Sequence, residues 1–272
     1  MVNLKTGQKQ LINFNFPPNT KGFFNDFVFD PTLNVVYISV SSTKWQIDRV
    51  PWSILEYENS GMVLAGDLTT KKVHKIATGF YFTNGIDIVN DNLLISETLN
   101  FRILKIPLTK VHRAIKAEEK VLLSNIEIFA QLPGEPDNIR VHDNDVWVAI
   151  FSPRIEGKQL RDYLGGWPIV RKSLARLLYG TSTILNFINT NLWQCDSIES
   201  LANQLYTGHI VYDYVPKSGA VLRLNGQTGA MKQLLGTTTF GSISEAYVDS
   251  DGDLYLGSFR NRFLVRVKKG KY

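Results

Sequence analysis

SEAYVDSDGDLYLG (residues 244–257) shares its plan with three earlier segments: NDFVFDPTLNVVYIS from Asn25, NGIDIVNDNLLIS from Asn84 and DNIRVHDNDVWVA from Asp137. Each opens on a polar pair, runs on as a short alternating strand, turns at Asp, Asn or Gly, and enters a second strand rich in Val, Ile, Leu, Tyr or Trp. The starts fall at 25, 84, 137 and 244, so the intervals are 59, 53 and 107 residues. The long last interval is read as one period carrying an insertion, because residues 153–215 have a helical pattern and the strand rhythm returns at Gly219.

Between the paired strands lie outer hairpins. Residues 61–79 (GMVLAGDLTTKKVHKIATG) and 219–236 (GAVLRLNGQTGAMKQLLG) both place a Thr/Gly/Asn turn between alternating strands. Residues 3–14 (NLKTGQKQLINF) carry the same hairpin pattern at the start of the chain. A period near 50 residues with four strands per unit fits the blades of a β-propeller. The chain is therefore expected to be all-β, one partial propeller domain over 1–272 with about four to five blades and a helical cap insertion at 153–215. Open blades leave unpaired edges. Either two blades' worth of chain is missing before the first one here, or the ends pair to close a smaller ring.

Radial symmetry has a consequence at the centre. The first residues of each inner strand sit at one rim of the channel, so Asn25-Asp26, Asn84-Gly85, Asp137-Asn138 and Ser244-Glu245 should converge there.

Composition removes several function classes. The 44% hydrophobic and 20% charged content is that of a folded globular chain. The net charge of +5 comes without a basic run, so no nucleic-acid partner is expected. A single cysteine, Cys195, excludes an intrachain disulfide. No signal peptide or spanning segment is legible. Gly-x-Ser-x-Gly and the phosphate-binding glycine motifs are absent, and the four histidines show no zinc-type spacing.

The segments VYISVSSTKW (36–45), FTNGIDI (82–88), ISETLNFRILKI (95–106), LPGEPDNIR (132–140) and SEAYVDSDGDLYLGSFRNRFLVRV (244–267), with the insert around Trp167 and Pro168, resemble the strictosidine synthase-like family. The resemblance covers nearly the whole chain in order. It implies a six-bladed propeller related to calcium-dependent arylesterases and lactonases, with a membrane anchor in the animal members that this chain does not show. It also implies a channel Ca²⁺ held by Asn25, Asn84, Asp137 and Asn138, and a general base at Glu245, the position that serves an amine–aldehyde condensation in the plant enzyme.

Calcium takes six to eight oxygen ligands, and three amides with one carboxylate supply part of that set. The same side chains also serve to bond backbone groups in turns. Glu245 acts as a base only if desolvation lifts its pKa toward neutrality.

The insert from Gln159 to Phe187 places Leu160, Leu164, Trp167, Val170, Leu174, Leu177 and Leu178 on one helical face, with Arg171, Lys172 and Arg176 on the other. Such a helix either caps the channel mouth, shaping a pocket for a small hydrophobic ester or lactone, or lies on an anionic membrane surface. The expected activity is ester or lactone hydrolysis, with a non-catalytic, membrane-associated binding propeller as the alternative.

Overall fold

A computed structural model describes residues 2–272 apart from 19, 155, 156, 158, 159 and 216. Four antiparallel sheets follow one another along the chain. The first holds β1 (Phe23–Asp30), β2 (Val35–Ser42), β3 (Gly61–Asp67) and β4 (Val73–Phe80), with helix α1 (Val50–Glu56) in the β2–β3 connection. The second holds β5 (Thr83–Val89), β6 (Asn92–Glu97), β7 (Arg102–Pro107) and, after helix α2 (Leu108–Ala117), β8 (Glu127–Gln131).

The third sheet begins with β9 (Gly134–His142) and β10 (Asp145–Pro153). Three helices follow: α3 (Leu160–Gly165), α4 (Pro168–Asn191) and α5 (Asp196–Thr207). The sheet resumes with β11 (Gly219–Asn225) and β12 (Met231–Thr237), and the fourth sheet is β13 (Glu245–Val248), β14 (Leu254–Gly257) and β15 (Val265–Val267). Every sheet is a meander in which the first strand pairs only with the second. The first strands adjoin in sequence order, β1 to β5, β5 to β9 and β9 to β13.

Alternation explains the stacking. In β2, Val35 and Tyr37 join Ile86, Leu93 and Ile95 of the second sheet in one core, while Val40 faces the other way to a separate cluster with Met62 and Leu64. A second core, with Leu94, Ile103, Ile139, Val148 and Leu222, joins the second and third sheets. A third, with Trp147, Val221, Ala246 and Leu254, joins the third and fourth. At about 25 cal/mol per Å² of apolar surface removed from water, these inter-sheet layers hold the meanders together.

Two expectations need correction. Residues 3–14 form no pair of outer strands: one isolated antiparallel bridge joins Val2 and Lys9 around a tight reversal, and Asn15 bridges Lys72. Asn3 instead accepts from the Lys5 and Thr6 N–H groups through Oδ1, closing a local turn that competes with a ladder.

The insert is not one amphipathic helix either. It breaks between Gly165 and Pro168, since proline has no N–H to donate and the residue before it is pushed out of helical conformation. The break resets the phase. Leu164, Arg171 and Leu174 line a cavity beneath the helices, whereas Trp167, Val170 and Leu177 are exposed. Gln159 and the Leu160 side chain lie outside the described residues.

The helices cross from one sheet to another. They leave the third sheet, yet their inner side rests on α1 of the first: Trp52, Leu55 and Ala175 form one apolar cluster, and Trp52 Nε1 donates to the Tyr206 carbonyl at 2.8 Å. Among the described residues, no helix is long and apolar enough to cross a membrane.

Candidate functional site

The polar doublets at the strand starts break the β alternation, and the ladders show how. Asn25 and Asp26 stand between the pairs Phe24–Val40 and Phe27–Ile38, so two residues oppose Ser39. Asn84 and Gly85 oppose Ser96 in the same manner, and Asp137 and Asn138 oppose Ala149. Three equivalent bulges turn the doublets toward the centre. β13 has no such shift, and Glu245 pairs in register with Gly257.

The structure brings Asn25, Asn84 and Asp137 to the wall of one cavity of about 260 Å³, together with Ser244. Phe23, Phe82, Phe151 and Phe259 supply much of the remaining wall. Asn25 Nδ2 donates to Ser41 Oγ at 2.9 Å, and Ser41 Oγ donates to the Thr83 carbonyl at 2.6 Å, which ties the first sheet to the second. Asn84 Nδ2 donates to Thr98 Oγ1 at 3.3 Å, while its buried Oδ1 has no hydrogen-bond partner. Asp137 keeps some surface toward the cavity but lies deep in the protein. Burial first, then the charges of Glu245, Asp26 and Glu135, push its carboxyl up to about 8, against a hydrogen bond with the Asn84 side chain.

Asn138 and Glu245 belong to a second cluster beside the cavity. Asn138 Nδ2 donates to Glu245 Oε2 at 3.2 Å, and the Asn138 Oδ1 is buried without a partner. Arg140, which the motif reading passed over, sits between sheets: Nη1 contacts Asp26 Oδ2 at 2.7 Å and Nη2 contacts Glu245 Oε2 at 2.8 Å. Burial raises the Glu245 pKa against the opposing pull of Arg140. The missed signal was the alternation itself. Arg140 stands two residues beyond Asn138 on one strand, hence on the same face.

Carbonyl oxygens of amides with one carboxylate are hard donors, and the orphaned Asn84 Oδ1 beside Asp137 fits an oxygen-liganded cation. Among the described residues, no cluster of three His, Cys, Asp or Glu side chains offers a more highly charged nest. His142, at the outer end of β9, pairs with Asp143 away from this cluster.

A model described as strictosidine synthase matches residues 25–110, which span the first two bulges and end within α2. Over that stretch the chain is similar to the strictosidine synthase family. It is 29% identical over 252 residues to the human adipocyte plasma membrane-associated protein, covering 90% of this chain and 51% of that one. The rat protein of the same name is 27% identical over 274 residues, covering 97% of this chain and 62% of the relative. Strictosidine synthase-like 10 of Arabidopsis thaliana is 29% identical over 135 residues, or 48% of this chain and 33% of that protein. The chain thus spans between half and two thirds of the length of the membrane-associated relatives. A solved luciferin-regenerating enzyme superposes with a TM-score of 0.49 at 12% identity, over 91% of this chain and 61% of that one. The fold itself is four successive antiparallel meanders that adjoin through their first strands.

Proposed function

We propose that the chain is part of a six-bladed hydrolase-type propeller that takes a small apolar ester or lactone at the channel mouth. The supporting observation is that three bulges deliver Asn25, Asn84 and Asp137 to one aromatic-walled cavity, with the Asn84 carbonyl oxygen unpartnered beneath it. A Ca²⁺ ion would be held by Asn25, Asn84 and Asp137, with Asn138 joining only if its side chain turns away from Glu245. Once bound, such an ion supplies Lewis acidity toward a carbonyl and acidity to water.

The protein's own groups do the rest. The phenylalanines exclude water from the substrate's apolar part, and Asn25 is held toward the cavity by Ser41. Glu245 stands behind the lining residue Ser244, engaged by Arg140 and Asn138. To serve as the base of an amine–aldehyde condensation it would first have to leave that arginine.

Thermal unfolding with and without CaCl₂ at neutral pH, alongside hydrolysis of phenyl acetate and γ-lactones, tests the reading. Calcium should raise the Tm of the parent, leave Asn84→Ala and Asp137→Ala unmoved, and support turnover in the parent alone. No calcium shift and no turnover would favour a binding propeller.

A second reading, membrane-surface association, draws on the outer face of α4. Ile169, Leu177, Ile184 and Phe187 are exposed there, Lys172 and Arg176 flank them, and Trp167 and Trp193 are exposed near the two ends. Apolar side chains with neighbouring cations suit an anionic bilayer interface. Sedimentation with phosphatidylserine-containing vesicles should capture the chain, and Leu177→Ser with Phe187→Ser should release it.

A further inference from the structure

Behind the channel mouth lies a larger cavity of about 550 Å³, between the helices and the second and third sheets. It shares Ile54, Leu99, Glu135 and Phe151 with the channel-mouth cavity, so the two adjoin. Its volume falls in the range of small-molecule sites, roughly 300–1,000 Å³. Leu55, Phe101, Leu164 and Leu174 make most of its wall apolar.

The charges along that wall are not evenly matched. Among the described residues the wall carries two carboxylates, Glu135 and Asp162, and Arg154, which stands behind the wall, engages both, at 3.5 Å and 2.8 Å. Arg171, in the first turn of α4, is the cation among the described lining residues, and no carboxylate of the described residues pairs with it. Its Nε is buried without a hydrogen-bond partner, and its guanidinium lies 5.4 Å from the Tyr57 ring centroid. Arg171 is half-buried, so its guanidinium is partly desolvated without an anion beside it, and its planar fork matches a carboxylate. The positive end of α4 adds to the same preference.

We propose that this cavity binds an amphipathic monocarboxylate, a medium-chain acyl or aryl-alkyl acid, with Arg171 on the carboxylate and the apolar wall on the tail. The assignment is separate from the channel cluster and requires neither calcium nor turnover.

Isothermal titration with decanoate below its micellar concentration tests it, against decan-1-ol and decyltrimethylammonium as tails of equal length. Decanoate should bind the parent at least about tenfold more tightly than either, the scale of one charge-assisted bidentate contact. Arg171→Met, which keeps an apolar stem, should abolish that preference, and Arg171→Lys should retain part of it. Arg176→Met and Leu177→Ser on the exposed face of α4 should change nothing, and Asn84→Ala should bind decanoate as the parent does. Equal affinity for decanoate and decanol in the parent overturns the proposal. So does loss of binding in Arg176→Met or Leu177→Ser, which would put the acid on the outside of the helix. If Arg171→Met does not fold, Leu174→Trp fills the cavity instead and should block decanoate, and unaltered binding by that variant is equally fatal.

Discussion

At Asp137, burial and the neighbouring charges of Glu245, Asp26 and Glu135 lift the carboxyl to about 8, while an unfolded aspartate titrates near about 3.9. Between those values the native state holds a proton that the unfolded chain has released. The contribution of this group to stability is therefore complete below the unfolded value and is lost as pH rises through 8. Asp137→Asn keeps the shape and cannot ionise. In calorimetry with EDTA, its Tm relative to the parent should climb from about pH 5 to about pH 8 and level off above that. A difference that stays flat would mean the carboxyl ionises normally. Gly85, in the neighbouring bulge, shows how closely the inner strands approach: a Cβ there would lie 2.4 Å from the Ile139 amide nitrogen and 2.6 Å from the Asn138 Cα. Backbone cannot yield as a flexible side chain does, so Gly85→Ala should cost about 1–3 kcal/mol in chemical denaturation.

Among the elements, the inner strands were the most legible in the sequence and the helices the least. The doublets at 25, 84 and 137 were legible because each opens one copy of an internal repeat, while the bulges that hold them show only in the strand register. Their side-chain pairing was not legible. Asp26 and Glu245 are joined because Arg140 reaches both, and that depends on how the sheets are placed relative to one another. The helices failed for a different cause. Apolar periodicity over 159–187 assumes one continuous helix, and Pro168 divides it, leaving Arg171 inward and Leu177 outward. Arg140 gives this scale its prediction. Arg140→Met strands two carboxylates that share its charge, and should destabilise by about 2–4 kcal/mol, below the range for fully buried pairs because the arginine keeps partial exposure. Adding Glu245→Gln should recover part of that loss, whereas additive costs in the double variant would deny the coupling.

At the scale of the whole molecule, stacking leaves two sheet faces without a neighbouring sheet among the described residues. Val28 of β1 turns toward the core shared with the second sheet, so Phe24, Phe27 and Phe29 point to the opposite side, where all three are exposed. Ala246 and Val248 of β13 pack against the third sheet, which leaves Tyr247 exposed on the other face. Interior sheets of the fan bury both faces against apolar layers, while these two end sheets present aromatic surface to solvent. Three exposed phenylalanines on one face of one strand are apolar surface of the kind that drives association. Sedimentation velocity should accordingly show a mean mass that rises with protein concentration through contact between copies of the chain. Phe27→Glu with Phe29→Thr should hold the protein monomeric over the same range without altering its circular dichroism. If the parent already sediments as a monomer throughout, the aromatic face is not a contact between copies, and the two end sheets are stable in water as they stand.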